Sequence, residues 1–135
     1  MNPIEPHSNK ITLQSSTPQT IKLAVYGTLR KGYGNYYHFL QESSFLGIYT
    51  TQKKYRFISD YPCVLPYNSE GYHIVVDVFE INLQTLIEID QFENHQIDYE
   101  RHQISLHTGT IAWIYTRDIT DNGIHLKEYL ERGKA

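Results

Sequence analysis

The chain has 135 residues, 40% hydrophobic and 20% charged, with a formal net charge of -3. That length and balance fit one globular domain with its own core and argue against a wholly disordered chain. The one short basic cluster, Lys53, Lys54 and Arg56, is interrupted by Tyr55, so no nucleic-acid partner is expected.

Residues 1–20 are polar, carry three prolines and lack the apolar segment of a secretory signal. They read as a flexible tail before a single domain over residues 21–135. No later segment approaches the roughly 20 apolar residues of a membrane span, so no membrane partner is expected and a cytoplasmic address is the default. "IKLAVYG", Ile21 to Gly27, is an apolar, β-leaning run closed by glycine and predicts a strand. "NYYHFLQES" follows with Asn35 as N-cap and Tyr36, Phe39 and Leu40 at helical spacing. From Ser44 to Leu65 the sequence turns β-branched and aromatic, broken by Gly47, Asp60 and Pro62, and predicts two or three strands. "YHIVVDVFEI", Tyr72 to Ile81, predicts a mostly buried strand.

"NLQTLIEIDQFE" then changes period. Asn82 can cap a helix whose stripe is Leu83, Leu86 and Ile87, with Asp90 near the centre of that face and Glu93 at its edge. "ERHQISLHTGTIAWIYTRD" reads as two strands around a turn at Thr108-Gly109, and "IHLKEYLERGK" as a short C-terminal helix. Strand, helix, several strands, helix and hairpin do not alternate as βαβ units. The expected class is α+β, a mixed sheet or small β-barrel with two or three short helices.

The stretch "VYGTLRKGYGN" is the first candidate for chemistry. A phosphate-binding loop needs G-x-x-x-x-G-K-[ST]. Gly27 and Gly32 have that separation, but Tyr33 and Gly34 follow, and the lysine stands one position early at Lys31. The dinucleotide pattern fails too, because Tyr37 occupies the place of its third glycine. Two readings remain: a plain strand-to-helix turn, or a backbone nest at Gly27-Thr28-Leu29 whose N–H groups hold a carboxylate or a carbonyl under attack. A nest needs a catalytic group from elsewhere, and the acids beside the second helix's stripe offer one. A partly desolvated glutamate there has a raised pKa and exchanges protons near neutrality. The bland alternative is a helix fraying after Asp90, with Glu93 solvated. Cys63, the single cysteine, excludes disulfides and multi-cysteine metal sites and reads as a small buried apolar residue, and Trp113 reads as core. No metal site is expected from the scattered histidines.

The chain resembles the γ-glutamylcyclotransferase-like family, in particular its γ-glutamylamine cyclotransferase (AIG2-like) branch. The resemblance rests on "VYGTLRKG", "GN", "FLG" (Phe45 to Gly47), "YPCVL" (Tyr61 to Leu65), "LIEIDQFE" (Leu86 to Glu93), "YER" (Tyr99 to Arg101) and "AWIY" (Ala112 to Tyr115) in that order, from about Lys22 to Arg117. It implies a compact mixed barrel with a cavity at one side. Tyr26, Gly27, Thr28 and Leu29 would bind the γ-glutamyl part of a small-molecule substrate, largely through main-chain groups. Glu93 would be the catalytic acid/base, and Tyr99 and Tyr115 would supply pocket hydroxyls. The implied reaction cyclises a γ-glutamyl amine or related conjugate to 5-oxoproline and releases the amine, with no cofactor. The same residues also suit a non-catalytic ligand-binding module, or an acyl-transfer enzyme that removes a γ-glutamyl protecting group from a biosynthetic intermediate. Two positions depart from the pattern: Asn94 stands where a glycine usually follows the glutamate, and the tail lacks the frequent Gly-Asp-Trp ending. Asparagine tolerates the left-handed conformation that glycine would supply there.

Overall fold

The computed structural model describes residues 20–58, 63–66, 71–95, 98–119 and 124–131. The expected tail, apart from Thr20, lies outside them, as do the predicted breaks at Asp60 and Pro62. Among the described residues, seven strands and two helices follow in chain order: β1 (Ile21–Val25), α1 (Tyr36–Phe39), β2 (Ser44–Tyr55), β3 (Phe57–Ile58), β4 (Cys63–Val64), β5 (Tyr72–Ile81), α2 (Leu83–Phe92), β6 (Glu100–Ser105) and β7 (Ile111–Thr116). The predicted hairpin turn is present between β6 and β7, with Gly109 at φ 88°, a conformation that glycine adopts without the Cβ clash.

Five strands form one mixed sheet in the order β2-β5-β1-β7-β6, and β3 pairs with β4 separately. The central strand β1 runs antiparallel to β5, from Ile21 opposite Ile81 to Val25 opposite Asp77, and parallel to β7 through Leu23 and Trp113. This is the expected α+β class, but the sheet does not close into a barrel. Edge strand β2 touches the far side of the sheet just past the end of β6, by an isolated bridge of Thr51 with Leu106 and a bond from His107 N–H to Thr50 O (2.9 Å), without a continuous ladder. A register shift between Thr50 and Lys54 bends β2 at that point, and β6 is too short to follow it.

Alternating side chains give the sheet two apolar faces. Tyr26, Ile74, Val76, Val78, Ile114 and their neighbours pack on one face beneath Tyr55, Phe57 and Val64. Leu23, Val25, Phe79, Trp113 and Tyr115 pack on the other, beneath Leu40, Leu86 and Ile89. Trp113 and Cys63 are buried as expected.

Three local expectations change. Asn35 makes no side-chain cap, and α1 lasts only four residues before a series of turns, since Tyr36, Tyr37, His38 and Phe39 are all weak helix formers. On α2 the buried residues are Leu86 and Ile89, while Ile87 is exposed, so the inward face is rotated from the predicted stripe. At 100° per residue, that rotation moves Glu93 from the edge of the face towards its centre. Residues 124–131 form a strap rather than a helix. Leu126 N–H donates to Phe57 O (2.7 Å), and Lys127 O accepts from Val75 N–H (2.7 Å), so these backbone groups are used across the fold.

Candidate active site

The chain leaves β1 at Val25 and turns at once, with Arg30 N–H donating to Gly27 O at 3.0 Å. The turn is held from behind by Arg30, whose buried guanidinium donates to Asp77 Oδ1 (3.0 Å), Glu128 Oε2 (2.9 Å) and Tyr129 O (3.0 Å). Asp77 Oδ2 accepts from Lys31 N–H at 2.8 Å, so one buried carboxylate fixes both the side chain and the backbone of the loop. From the other end, Asn35 donates its amide to Thr28 Oγ1 (2.7 Å) and its N–H to Thr28 O (2.9 Å). Gly32 makes the intervening turn at φ 84°. With the carbonyls of Gly27 and Thr28 engaged this way, the N–H groups of Gly27, Thr28 and Leu29 donate to no acceptor among the described residues.

The same residues border a cavity of about 300 Å³. Tyr26, Gly27, Thr28 and Leu29 line it from the loop, Glu93 from the end of α2, and Tyr99 and Tyr115 from the segments around the final hairpin. All seven residues named from the sequence therefore surround one space. Sequence reasoning missed its apolar lining from Ala24, Val25 and Phe92, and the Arg30–Asp77–Glu128 clamp behind the loop. The clamp left one legible signal: Asp77 is a lone acid inside the apolar run "IVVDVF", and such a residue needs a partner when buried.

Glu93 owes its placement to the way α2 begins and ends. Asn82 Oδ1 accepts from Thr85 N–H at 2.8 Å and caps the start as predicted. At the other end Asn94 adopts φ 55°, its N–H donates to Gln91 O (3.1 Å), and His95 N–H donates to Asp90 O (2.9 Å). This is the paired-bond termination that glycine ordinarily supplies, with asparagine in its place. The helix does not fray after Asp90, and Glu93 is its C-cap, mostly buried. Burial raises the Glu93 pKa from 4.5 to about 7, and the nearby charge of Asp90 adds to the shift. The negative end of the helix dipole acts in the same direction. Among the described residues the Glu93 carboxylate has no hydrogen-bond or ion-pair partner.

The tyrosines divide by what their hydroxyls do. Tyr26 donates to Tyr115 O at 2.8 Å, tying β1 to β7. Tyr115 donates to Asp90 Oδ1 at 2.5 Å, and Arg101 donates to both oxygens of the same carboxylate (2.9 and 3.1 Å) while lying 4.5 Å from the Trp113 ring centroid. Tyr99 carries the Arg117 guanidinium over its ring at 5.7 Å. Burial, then the charge of Glu93, pushes its hydroxyl up to about 12. The site thus pairs a run of free backbone N–H groups with one acid of raised pKa around a small, largely apolar cavity.

The family model described as gamma-glutamyl cyclotransferase, AIG2-like, matches residues 23–131. The chain belongs to this family. A Methanocaldococcus jannaschii relative is 39% identical over 98 residues, covering 67% of this chain and 79% of the relative. A Vibrio cholerae relative is 36% identical over 94 residues, covering 67% and 76%. Both carry provisional gamma-glutamylcyclotransferase names. The crystal structure of an AIG2-like protein from Mus musculus shares the fold, with a TM-score of 0.72 at 21% identity over 82% of this chain and 88% of that one. No helix among the described residues is long and apolar enough to cross a membrane.

Proposed function

We propose that this AIG2-like protein is a γ-glutamylcyclotransferase that converts a γ-glutamyl amine or related conjugate to 5-oxoproline and an amine, with Glu93 as acid/base. One observation carries the reading: a mostly buried glutamate with a pKa of about 7 shares a cavity with Gly27, Thr28 and Leu29, and among the described residues neither its carboxylate nor their N–H groups have a hydrogen-bond partner. A carboxylate kept this way costs stability, and proton transfer is the use for which its raised pKa is suited.

The α-ammonium of the substrate has a reference pKa of roughly 8, close enough to that of Glu93 for direct transfer. Glu93 takes one proton, and the neutral nitrogen attacks the γ-carbonyl carbon of the same molecule. The N–Cγ bond closes a five-membered ring, and the carbonyl electrons move onto oxygen, to which N–H groups of Gly27 to Leu29 donate hydrogen bonds. Glu93 then gives its proton to the amide nitrogen, the Cγ–N bond to the leaving amine breaks, and the carbonyl re-forms. A second proton travels from the ring nitrogen to the departing amine by the same carboxylate, which ends ionised as it began. Nucleophile and electrophile belong to one molecule, so the main task of the cavity is to fold the substrate into attack geometry and exclude water.

The test is to offer the purified protein a panel of γ-glutamyl amines and γ-glutamyl dipeptides and to measure 5-oxoproline. Release from at least one member, lost in Glu93→Gln, is the expected result. Tight binding of a member with no product would replace the reading with that of a ligand-binding module.

A further inference from the structure

Next to Glu93 along the chain, Phe92 lines the cavity while 45% of its surface remains exposed. A large apolar ring so exposed at a cavity is a candidate contact for what enters it. Phe92 is also held in place, because its ring packs on Phe39 of α1 with centroids 4.8 Å apart and planes at 43°. Phe39 is half-buried against the core of that face, so the pair is anchored on one side and open on the other.

The reaction proposed above fixes where the leaving amine must be. Its nitrogen receives a proton from Glu93, so the substituent on that nitrogen leaves the cavity beside the residue adjoining Glu93. Charge chemistry near this point is sparse. Glu93 is the one charged side chain in the described lining. Asp90 is engaged by Arg101 and Tyr115, the Lys31 ammonium lies 4.7 Å from the Phe45 ring centroid, and Arg117 stands over Tyr99. A second ammonium on the leaving group would find no spare acid among these residues, and the lining itself offers a carboxylate no cation. An aromatic ring would find a ready platform, since aromatic pairs favour offset and tilted packing at centroid separations of roughly 4.5–7 Å.

We infer that Phe92, backed by Phe39, is the leaving-group subsite, and that the preferred substrates are γ-glutamyl conjugates of aromatic amines. The inference rests on the cyclotransferase reading and narrows it to one substrate class.

Four probes test it: the γ-L-glutamyl amides of phenethylamine, ethylamine and 1,4-diaminobutane, and γ-L-glutamyl-alanine, each assayed for 5-oxoproline. The phenethylamide is expected to exceed the ethylamide in kcat/KM by about tenfold or more, the scale set by burying half a phenyl ring against another. Phe92→Ala should shrink that ratio to about twofold, and Phe92→Leu, which keeps apolar area without the ring, should fall between. Phe92 is exposed enough for both variants to fold, which thermal melting verifies. Turnover of the ethylamide with no aromatic preference, a preference for the diamine or alanine conjugate, or an unchanged ratio in Phe92→Ala overturns the subsite while leaving the cyclotransferase reading intact. Absence of 5-oxoproline from all four probes overturns both.

Discussion

At the end of α2 the Asp90 carboxylate accepts two hydrogen bonds from Arg101 and one from Tyr115, whereas Glu93, one turn on, accepts none among the described residues. The two acids share a helix, a backbone terminus and nearly the same depth, yet one is satisfied and the other is not. Asp90 joins α2 to β6 and β7 and so belongs to the scaffold. Glu93 is held in the cavity by that scaffold and carries its strain as a raised pKa. A desolvated acid can be kept reactive when the neighbouring acid absorbs the available cations. The Arg101 guanidinium lies over the Trp113 ring and gives Nε and Nη2 to Asp90.

The largest effect should come from removing the reactive member. Glu93→Gln keeps the shape but cannot shuttle protons, so kcat should fall by about 10²–10⁴-fold in the 5-oxoproline assay, with circular dichroism unchanged. Turnover at the wild-type rate would dissolve the contrast between the acids. Removing the satisfied member should do the opposite. Asp90→Ala leaves Arg101 buried without its partner and should cost about 3–5 kcal/mol in urea unfolding. A loss under about 1 kcal/mol would mean that the network carries little.

The contrast is also visible in pH. The folded Glu93 holds its proton more tightly than the unfolded residue, at about 7 against 4.5. Its contribution to stability is therefore full below 4.5 and lost as the pH rises through 7. The stability advantage of Glu93→Gln over wild type should grow by about 2–3 kcal/mol between pH 4.5 and pH 8, as measured by urea unfolding at each pH. A flat difference would place Glu93 in solvent. The smallest effect concerns the residue that turns the chain away from both acids. Asn94→Ala puts a less tolerant residue at φ 55° and should cost about 1 kcal/mol, while Asn94→Gly should be close to neutral, both read from thermal melts.

Local signals carried much of this into the sequence. Asn82, the Thr108-Gly109 turn and the glycine-bounded loop each act within a few residues of themselves, and each appears where expected. Glu93 was legible through family resemblance, and Asn94 through its tolerance of a left-handed backbone. Partners far apart in the chain were not legible. Arg30 meets Asp77 and Glu128 across 47 and 98 positions, and no local pattern encodes that clamp. The strap at 124–131 has the composition of a helix and loses that form to bonds with Phe57, Val75 and Arg30. The α2 stripe was misjudged because Ile87 and Ile89 are equally apolar, and packing alone decides which one faces inward.

The central claim is that Glu93 is the proton carrier of a cyclisation, and the pH dependence of 5-oxoproline release addresses it most directly. Measured as kcat/KM, the rate should rise with pH along an acid limb centred near 7, the Glu93 value, and Glu93→Gln should lose that limb along with most of its activity. A limb centred near 4.5, or a Glu93→Gln enzyme that keeps the wild-type profile, would contradict the account.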